Sequence, residues 1–342
     1  MDPPEPSDPQ ALLARLAALE AQLAACDAQR RAERAARIRL QRLARAPPPE
    51  DPRLVAYRPI ATLHSCFSRR NGTPRQPALV PAARAVLQLE RAVPPGALAG
   101  LADFSHVWVL YAFHANTNAH HCAAKAAVAV PRLDGASRGV LATRTPHRPN
   151  ALGLSLGRLL AVDAAAGTVT LGGLDCVDGS PVLDLKPLVP FCDCPPDARA
   201  PAWVAAAAAE EPLAVAGVAL SDDAAAELAA AYAAAETARR GAWRAAHPPP
   251  APPAPPALYA DGAAFCALVR QVLSLDIRAL RERSAPRRAV YHVILCCVEV
   301  DYTLDGARRV EVLGGRPALP EAAWAAQQDD AAAAAALSDG SE

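Results

Sequence analysis

Several features that usually announce a function are missing from this chain. It has no G-x-G-x-x-G, so a Rossmann-type dinucleotide site has no support. Neither GxxxxGK[ST] nor G-x-S-x-G occurs, which removes P-loop and hydrolase-elbow readings. The nine cysteines include no C-x-x-C pair. Cys192-Asp193-Cys194 and the vicinal Cys296-Cys297 stand closest, and a bridge within the latter would be strained. Reduced thiols in a cytoplasmic chain are the economical reading. Charge-free apolar runs such as residues 290–298 are about half as long as a bilayer crossing requires. The opening Met1-Asp2-Pro3-Pro4-Glu5 is acidic and lacks the apolar core of a secretory signal. Lysine is almost absent, with only Lys125 and Lys186 among 35 basic residues. These balance 35 acidic ones, so no global basic field marks a nucleic-acid partner.

What is present is 52% apolar, too much for a wholly disordered chain. At about 150 residues per domain, 342 residues predict two domains with room for further segments. Residues 1–8 read as disordered and 9–46 as one helix, with Ser7 and Asp8 as N-cap types and Pro9 in the first turn. Leu12, Leu16, Leu19 and Leu23 form a coiled-coil seam that fails when the register reaches Cys26 and Arg30. The basic end of that helix, from Arg30 to Arg45, reads either as a solvated face or as an arm for an RNA backbone.

From residue 54 to about 195 the texture changes to short apolar runs separated by turn signals. Strands are predicted at 86–89, 106–113, 126–130, 140–143, 154–162, 168–171 and 182–185, with a hairpin loop at 163–167. This spacing predicts an antiparallel barrel or sandwich. Residues 104–113 hold four of the few aromatics, and 106–113 are apolar on both faces, so they should form a central, doubly covered strand. Residues 198–257 read as an Ala-rich helix, capped near Ser221, and a linker in which seven of residues 248–257 are proline. A small α+β domain is predicted at 258–315, with a helix near 261–274, one strand at 289–301, a turn at Asp305-Gly306 and a return strand at 308–313; residues 316–342 read as a disordered tail.

Two loops of the middle domain concentrate polar side chains between prolines. Asn71-Gly72-Thr73-Pro74-Arg75-Gln76-Pro77 holds an Arg-Gln pair, and Thr143-Arg144-Thr145-Pro146-His147-Arg148-Pro149-Asn150 holds two arginines, a histidine and an asparagine. Proline fixes such loops in advance, and so many donors cost desolvation unless a polar or anionic ligand meets them. Downstream, Gly172-Gly173-Leu174-Asp175 allows close backbone approach beside a carboxylate. Asp184 and Lys186 fall on one strand face, as a ligand pair or a plain surface ion pair. His114 reads as a core or a site histidine. His114, His120, His121 and Cys122 fit no standard zinc spacing, so no metal is expected. Residues 54–194 carry 13 Lys/Arg against 8 Asp/Glu, a local excess hidden in the neutral total.

Read together, Pro74-Arg75-Gln76, Phe104-Ser105-His106-Val107-Trp108, Ala142-Thr143-Arg144, Arg148-Pro149-Asn150, Leu174-Asp175, Asp178-Gly179-Ser180-Pro181-Val182 and Asp184-Leu185-Lys186-Pro187 resemble, in order, the TrmO (TsaA-like) family of tRNA (adenine-N6)-methyltransferases. The resemblance spans about residues 57–195, and residues 271–313 resemble the family's small second domain. The N-terminal helix is similar to an extension of the animal members. The resemblance implies a mainly β protein: a single-sheeted antiparallel β-barrel, an N-terminal helix or coiled coil and a small α+β C-terminal domain. It implies a homodimer that uses S-adenosylmethionine to methylate N6 of N6-threonylcarbamoyladenosine at position 37 of tRNA, with no membrane and no DNA partner. Carried over residue by residue, cofactor contacts fall on Pro74, Arg75, Gln76, His114, Ala115, Arg144, Leu154, Gly172, Gly173, Leu174 and Asp175. Substrate contacts are expected at Arg148, Asn150 and Lys186. The proton acceptor is open among Asp175, Asp184 and His147. Ala115 replaces a longer polar residue usual in the family, Leu188 an aromatic, and Asp276-Ile277-Arg278-Ala279 replaces Asp-Pro-Arg-Pro or Asp-Pro-Arg-Ser. The competing expectation from another class is a noncatalytic adaptor that binds the cofactor or RNA and acts through its coiled coil.

Overall fold

A computed structural model describes residues 55–115, 126–130, 133, 135–205, 213–246, 254–278, 282–283 and 290–318. The expected coiled coil lies outside them. The chain divides into Met1–Tyr57 and Arg58–Glu342, and every described strand and helix belongs to the second unit.

Six strands close into an antiparallel barrel: β1 (Ala61–Ser65), β2 (Arg84–Leu89), β3 (His106–Ala112), β6 (Leu152–Asp163), β7 (Thr168–Gly172) and β8 (Ser180–Pro187). Their order around the wall is β1-β2-β7-β6-β3-β8, and β8 closes the ring by pairing with both β1 and β3. Side chains alternate as the two-residue period requires. Ala61, Leu63, Leu87, Val107, Val109, Val169 and Leu171 fill the interior and are fully buried. Each such Val or Leu contributes about 1.5–3 kcal/mol by leaving water. β3 is paired on both edges, as every strand of the closed wall is, but it is not covered on both faces as expected: Val107, Val109 and Tyr111 point inward, and the residues between them are only half-buried. A bulge opposite Leu110/Tyr111 resets β8, so Val182 and Leu185 both pair with inward-facing positions.

β1 escapes an apolar-run search because its outward positions are Thr62 and His64. The strand predicted at 140–143 is instead a 3-10 turn, Val140–Ala142, closed when both the backbone N–H and the hydroxyl of Thr143 donate to the Val140 carbonyl. The strand there comes earlier, as β5 (Ser137–Gly139), paired with β4 (Ala127–Ala129).

The second sheet has the order β10-β11-β12-β9, built from β9 (Gly217–Leu220), β10 (Tyr291–Leu295), β11 (Val298–Leu304) and β12 (Arg309–Pro317). Two helices pack on it: α1 (Asp222–Ala246), where the Ala224 N–H donates to Ser221 Oγ, and α2 (Gly262–Leu273), capped by the Asp261 side chain. The Ala-rich segment therefore supplies β9 and α1 to this sheet. The single strand predicted at 289–301 is a hairpin. Cys296 and Cys297 both adopt positive φ, 49° and 59°, and form a two-residue turn without the usual Gly or Asn. All seven described cysteines are free thiols, and burial pushes that of Cys66 up to about 11.

The two helices approach so closely that a β-carbon at Gly262 would overlap Ala229. Gly262→Ala should cost about 1–3 kcal/mol through overpacking, outweighing about 1 kcal/mol of helix propensity. Urea unfolding checks this, and an unchanged midpoint would mean that the helices separate freely.

Candidate functional site

Strand direction decides which loops meet. β1, β3 and β7 end at one rim of the barrel, and β2, β6 and β8 start there. The loops of residues 66–83, 113–151 and 173–179 therefore share that rim. They carry every candidate site residue except Gly172, which ends β7 at that rim, and Leu154, Asp184 and Lys186.

The first loop is stiffened by the buried Pro74 and by Thr73 Oγ1 donating to the Arg69 carbonyl at 2.7 Å. Arg75 is exposed next to it. Gln76 Oε1 accepts from Arg144 Nη1 at 3.0 Å, so the two proline-flanked loops are joined although 68 residues separate them. The second loop is folded on itself by Arg148 Nη1, which donates to the Thr143 carbonyl at 2.7 Å. The His147 N–H donates to Thr145 Oγ1 at 3.3 Å, and Asn150 lies exposed at the loop's end. His114 Nδ1 lies 3.3 Å from Ser180 Oγ, with the half-buried Ala115 following it. His120, His121 and Cys122 lie outside the described residues.

The third loop begins with a left-handed turn. Gly173 has φ +67°, and a β-carbon there would sit 3.5 Å from the Pro77 carbonyl oxygen. Glycine is what lets the strand end close against the first loop. Gly172 is buried, Leu174 sinks into the barrel, and Asp175 turns back to the wall, where Ser155 Oγ donates to its Oδ1 at 2.5 Å. Burial raises the Asp175 carboxyl above its ordinary value, against the opposing pull of the Ser155 hydrogen bond and the Arg144 charge. Tyr111 Oη lies 3.4 Å from Ser155 Oγ.

Three residues sit elsewhere. Leu154, 56% exposed, is on the outer wall opposite Leu110. Asp184 and Lys186 lie farther along β8 on the same wall, opposite Leu110 and Trp108, joined by a 3.1 Å ion pair. Ser155, Tyr111 and Cys176 join this site without a motif in the sequence to mark them, whereas Ser180 belongs to the Asp178–Val182 motif. Ser155 could have been found from the period-two pattern of β6, whose inward positions at this end are Gly153, Ser155 and Gly157.

The rim offers Arg75, Arg144 and Arg148, a glutamine, a carboxylate and a glycine pair with no side chains in the way. That donor set suits a small ligand bearing both a carboxylate and a cation. Among the described residues, His292, Glu299 and Asp301 bring three metal-type ligand atoms within 4.8 Å of one another. Arg316 already spans both carboxylates there, at 2.6 Å and 3.0 Å, and His292 Nδ1 lies 2.6 Å from Asp301. The group is closed as an ion-pair network.

Comparison with known proteins bears on the same residues. Residues 62–194 match the tRNA-methyltransferase O N-terminal domain. The chain is 46% identical over 146 residues to the human tRNA (adenine(37)-N6)-methyltransferase, covering 42% of this chain and 32% of that protein. It thus spans about a third of the length of its mammalian relatives. A Pyrococcus abyssi protein named for S-adenosyl-L-methionine binding is 32% identical over 142 residues, 42% of this chain and 72% of its own. The crystal structure of TrmO from Pseudomonas aeruginosa superposes with TM-score 0.55 at 29% identity, covering 78% of this chain and 99% of that one. Another TrmO crystal structure gives 0.53 at 30% identity, covering 77% and 99%.

Because the Asp175 carboxyl is raised, the folded chain holds its proton more tightly than the unfolded chain does. Its charge therefore costs stability as pH rises through the carboxylate range. Asp175→Asn should be more stable than the native chain at neutral pH, and the difference should vanish below the ordinary carboxyl value of 3.8. Thermal unfolding across pH checks this, and a destabilised neutral-pH variant would contradict it.

Proposed function

Because this chain belongs to the tRNA-methyltransferase O family, we propose that it methylates N6 of N6-threonylcarbamoyladenosine at position 37 of tRNA. The observation that carries this reading is the Gln76–Arg144 contact beside the half-buried Asp175, which gathers the three rim loops into one polar site.

The cofactor proposed is S-adenosylmethionine, which when bound supplies a methyl group on a positively charged sulfur. Arg144 and Arg75 suit its carboxylate, and Gln76 and the backbone of Gly172–Leu174 suit its polar edges. His114 and Ala115 flank the same rim. Leu154 stands on the outer wall, where exposed Leu152, Leu154 and Leu160 would be covered by a second copy in a homodimer. A methyl transfer asks the protein mainly to hold two reactants in line. The stiffened loops serve that need, and no protein nucleophile is required.

Of the three acceptors considered from sequence, Asp175 is favoured. Asp184 is tied to Lys186 on the outer wall. His147 belongs to the rim loop, yet only Asp175 lies both beside Arg144 and against the barrel interior. The N6 proton of a carbamoylated adenine is more acidic than that of plain adenine, so a carboxylate suffices to accept it. Arg148 suits the threonyl carboxylate of the modified base, and Asn150 at the rim and Lys186 on the outer wall are the further residues proposed to meet the RNA. The domain limits proposed are residues 54–195 for the catalytic barrel and an α+β support beyond it. No described helix is long and apolar enough to cross a membrane, and the site of action proposed is the cytoplasm.

The test is incubation with labelled S-adenosylmethionine and tRNA with or without threonylcarbamoyladenosine, followed by digestion to nucleosides. Label on the modified adenosine alone is expected. Cofactor binding without transfer would replace this reading with the adaptor. Arg148→Lys should lower transfer to modified tRNA by about 10-fold, since a point charge replaces a bidentate fork, with cofactor affinity unchanged. Equal losses in both would remove Arg148 from base recognition.

A further inference from the structure

Behind Asp175 lies a chain of hydroxyls that the proposed reaction does not by itself require. Ser155 is on the inner face of β6 and only 3% exposed. Its Oγ is 2.5 Å from Asp175 Oδ1 and 3.4 Å from Tyr111 Oη. The proton directions follow from chemistry. An ionised carboxylate can only accept, so Ser155 donates to Asp175, and only its lone pairs are left for the phenol. Tyr111 therefore donates to Ser155. Cys176 lies against the same phenol.

Each member is fixed by a different part of the wall. Tyr111 sits on β3 opposite Gly153, and a β-carbon at Gly153 would overlap its ring. Phe113 meets that ring edge-on at a centroid distance of 5.2 Å. The carboxylate comes from the loop after β7. Tyr111 from β3 and Asp175 from the loop after β7 thus meet at Ser155 Oγ on β6, and such convergence from separate elements is how a rigid site is held.

We propose that Ser155 is a positioning residue: it fixes Asp175 Oδ1 against the barrel wall and leaves Oδ2 to take the N6 proton, with Tyr111 holding Ser155 in that role. This rests on the reading of Asp175 as the proton acceptor. The titratable groups facing Asp175 are Arg144 from the rim, Tyr111 from β3 and the adjacent Cys176. Burial raises both Tyr111 and Cys176, so both stay protonated, and neither competes for the proton. Without Ser155, the carboxylate keeps its own backbone N–H and the charge of Arg144, which draws it toward the exposed side of the rim.

The direct test is the titration of the Asp175 carboxyl in the full cofactor-free chain, followed by carbon NMR of labelled aspartate, with Asp175→Asn identifying the resonance. Ser155→Ala should titrate at higher pH than the native chain, because a donor to the charged form is lost. Ser155→Thr, which keeps the hydroxyl, should restore the native titration. In methyl transfer the acid limb of the pH profile should move upward with the carboxyl. The loss should be about 10-fold on that limb and shrink as pH rises. A merely structural role would lower the rate equally at every pH.

An unchanged Asp175 titration in Ser155→Ala overturns the proposal. Should that variant fail to fold, Tyr111→Phe carries the test: a smaller upward shift supports the chain of hydroxyls, and none overturns it. Near-native transfer by Asp175→Asn would sink the acceptor reading beneath the proposal and leave the titration result standing on its own.

Discussion

Closure of the barrel by β8 is the constraint on which the site depends. One strand pairs with β1 on one edge and β3 on the other, and the sheet has no free edge in between. Antiparallel closure then fixes which loops share a rim. Gln76 and Arg144 meet only because β1 and β3 run the same way around a closed wall. The same closure turns inward-facing positions of β6 and β3 into a wall behind Asp175, so a half-buried carboxylate is held by Ser155 and, through it, by Tyr111 of a separate strand.

The second sheet serves the site from outside the barrel. Cys66, Phe67, Val80 and Ala83, all from the first rim loop, belong to the apolar core formed with α1, α2 and the second sheet. Polar contacts reinforce it: Tyr259 Oη donates to the Ala82 carbonyl at 2.9 Å, and the Ala82 N–H donates to Gln271 Oε1 at 2.7 Å. Pro74–Gln76 is thereby carried on a segment anchored at both ends, by the barrel and by the neighbouring sheet. The Asp276-Ile277-Arg278 stretch keeps its shape through a buried two-point ion pair, which Tyr291 supports by hydrogen bond and ring contact. That pair holds the turn without the prolines expected from the family.

How much of this is legible in the sequence depends on how locally each feature is encoded. β3, β6, β7 and β8 show themselves through apolar runs, and both long helices through their capping residues. The strand β1 is hidden because its outer positions are polar, and β9 because a four-residue parallel strand needs β12 to be recognised. The Cys296-Cys297 turn carries no local sign, since cysteine is an unusual occupant of two adjacent left-handed positions. The rim loops are readable from their prolines and arginines. Their union is not, because it arises from strand direction and closure. Ser155 and Tyr111 read as ordinary strand residues until β3, β6 and the loop after β7 are brought together.

The central claim is that the rim joined by Gln76 and Arg144 is the cofactor pocket. Calorimetric titration of the full chain with S-adenosylmethionine, beside Arg144→Ala, tests it most directly. One cofactor per chain is expected, with about 10-fold weaker binding in the variant, the scale of one lost charge-assisted contact. Equal affinity in both chains, or no binding by the native chain, would contradict it.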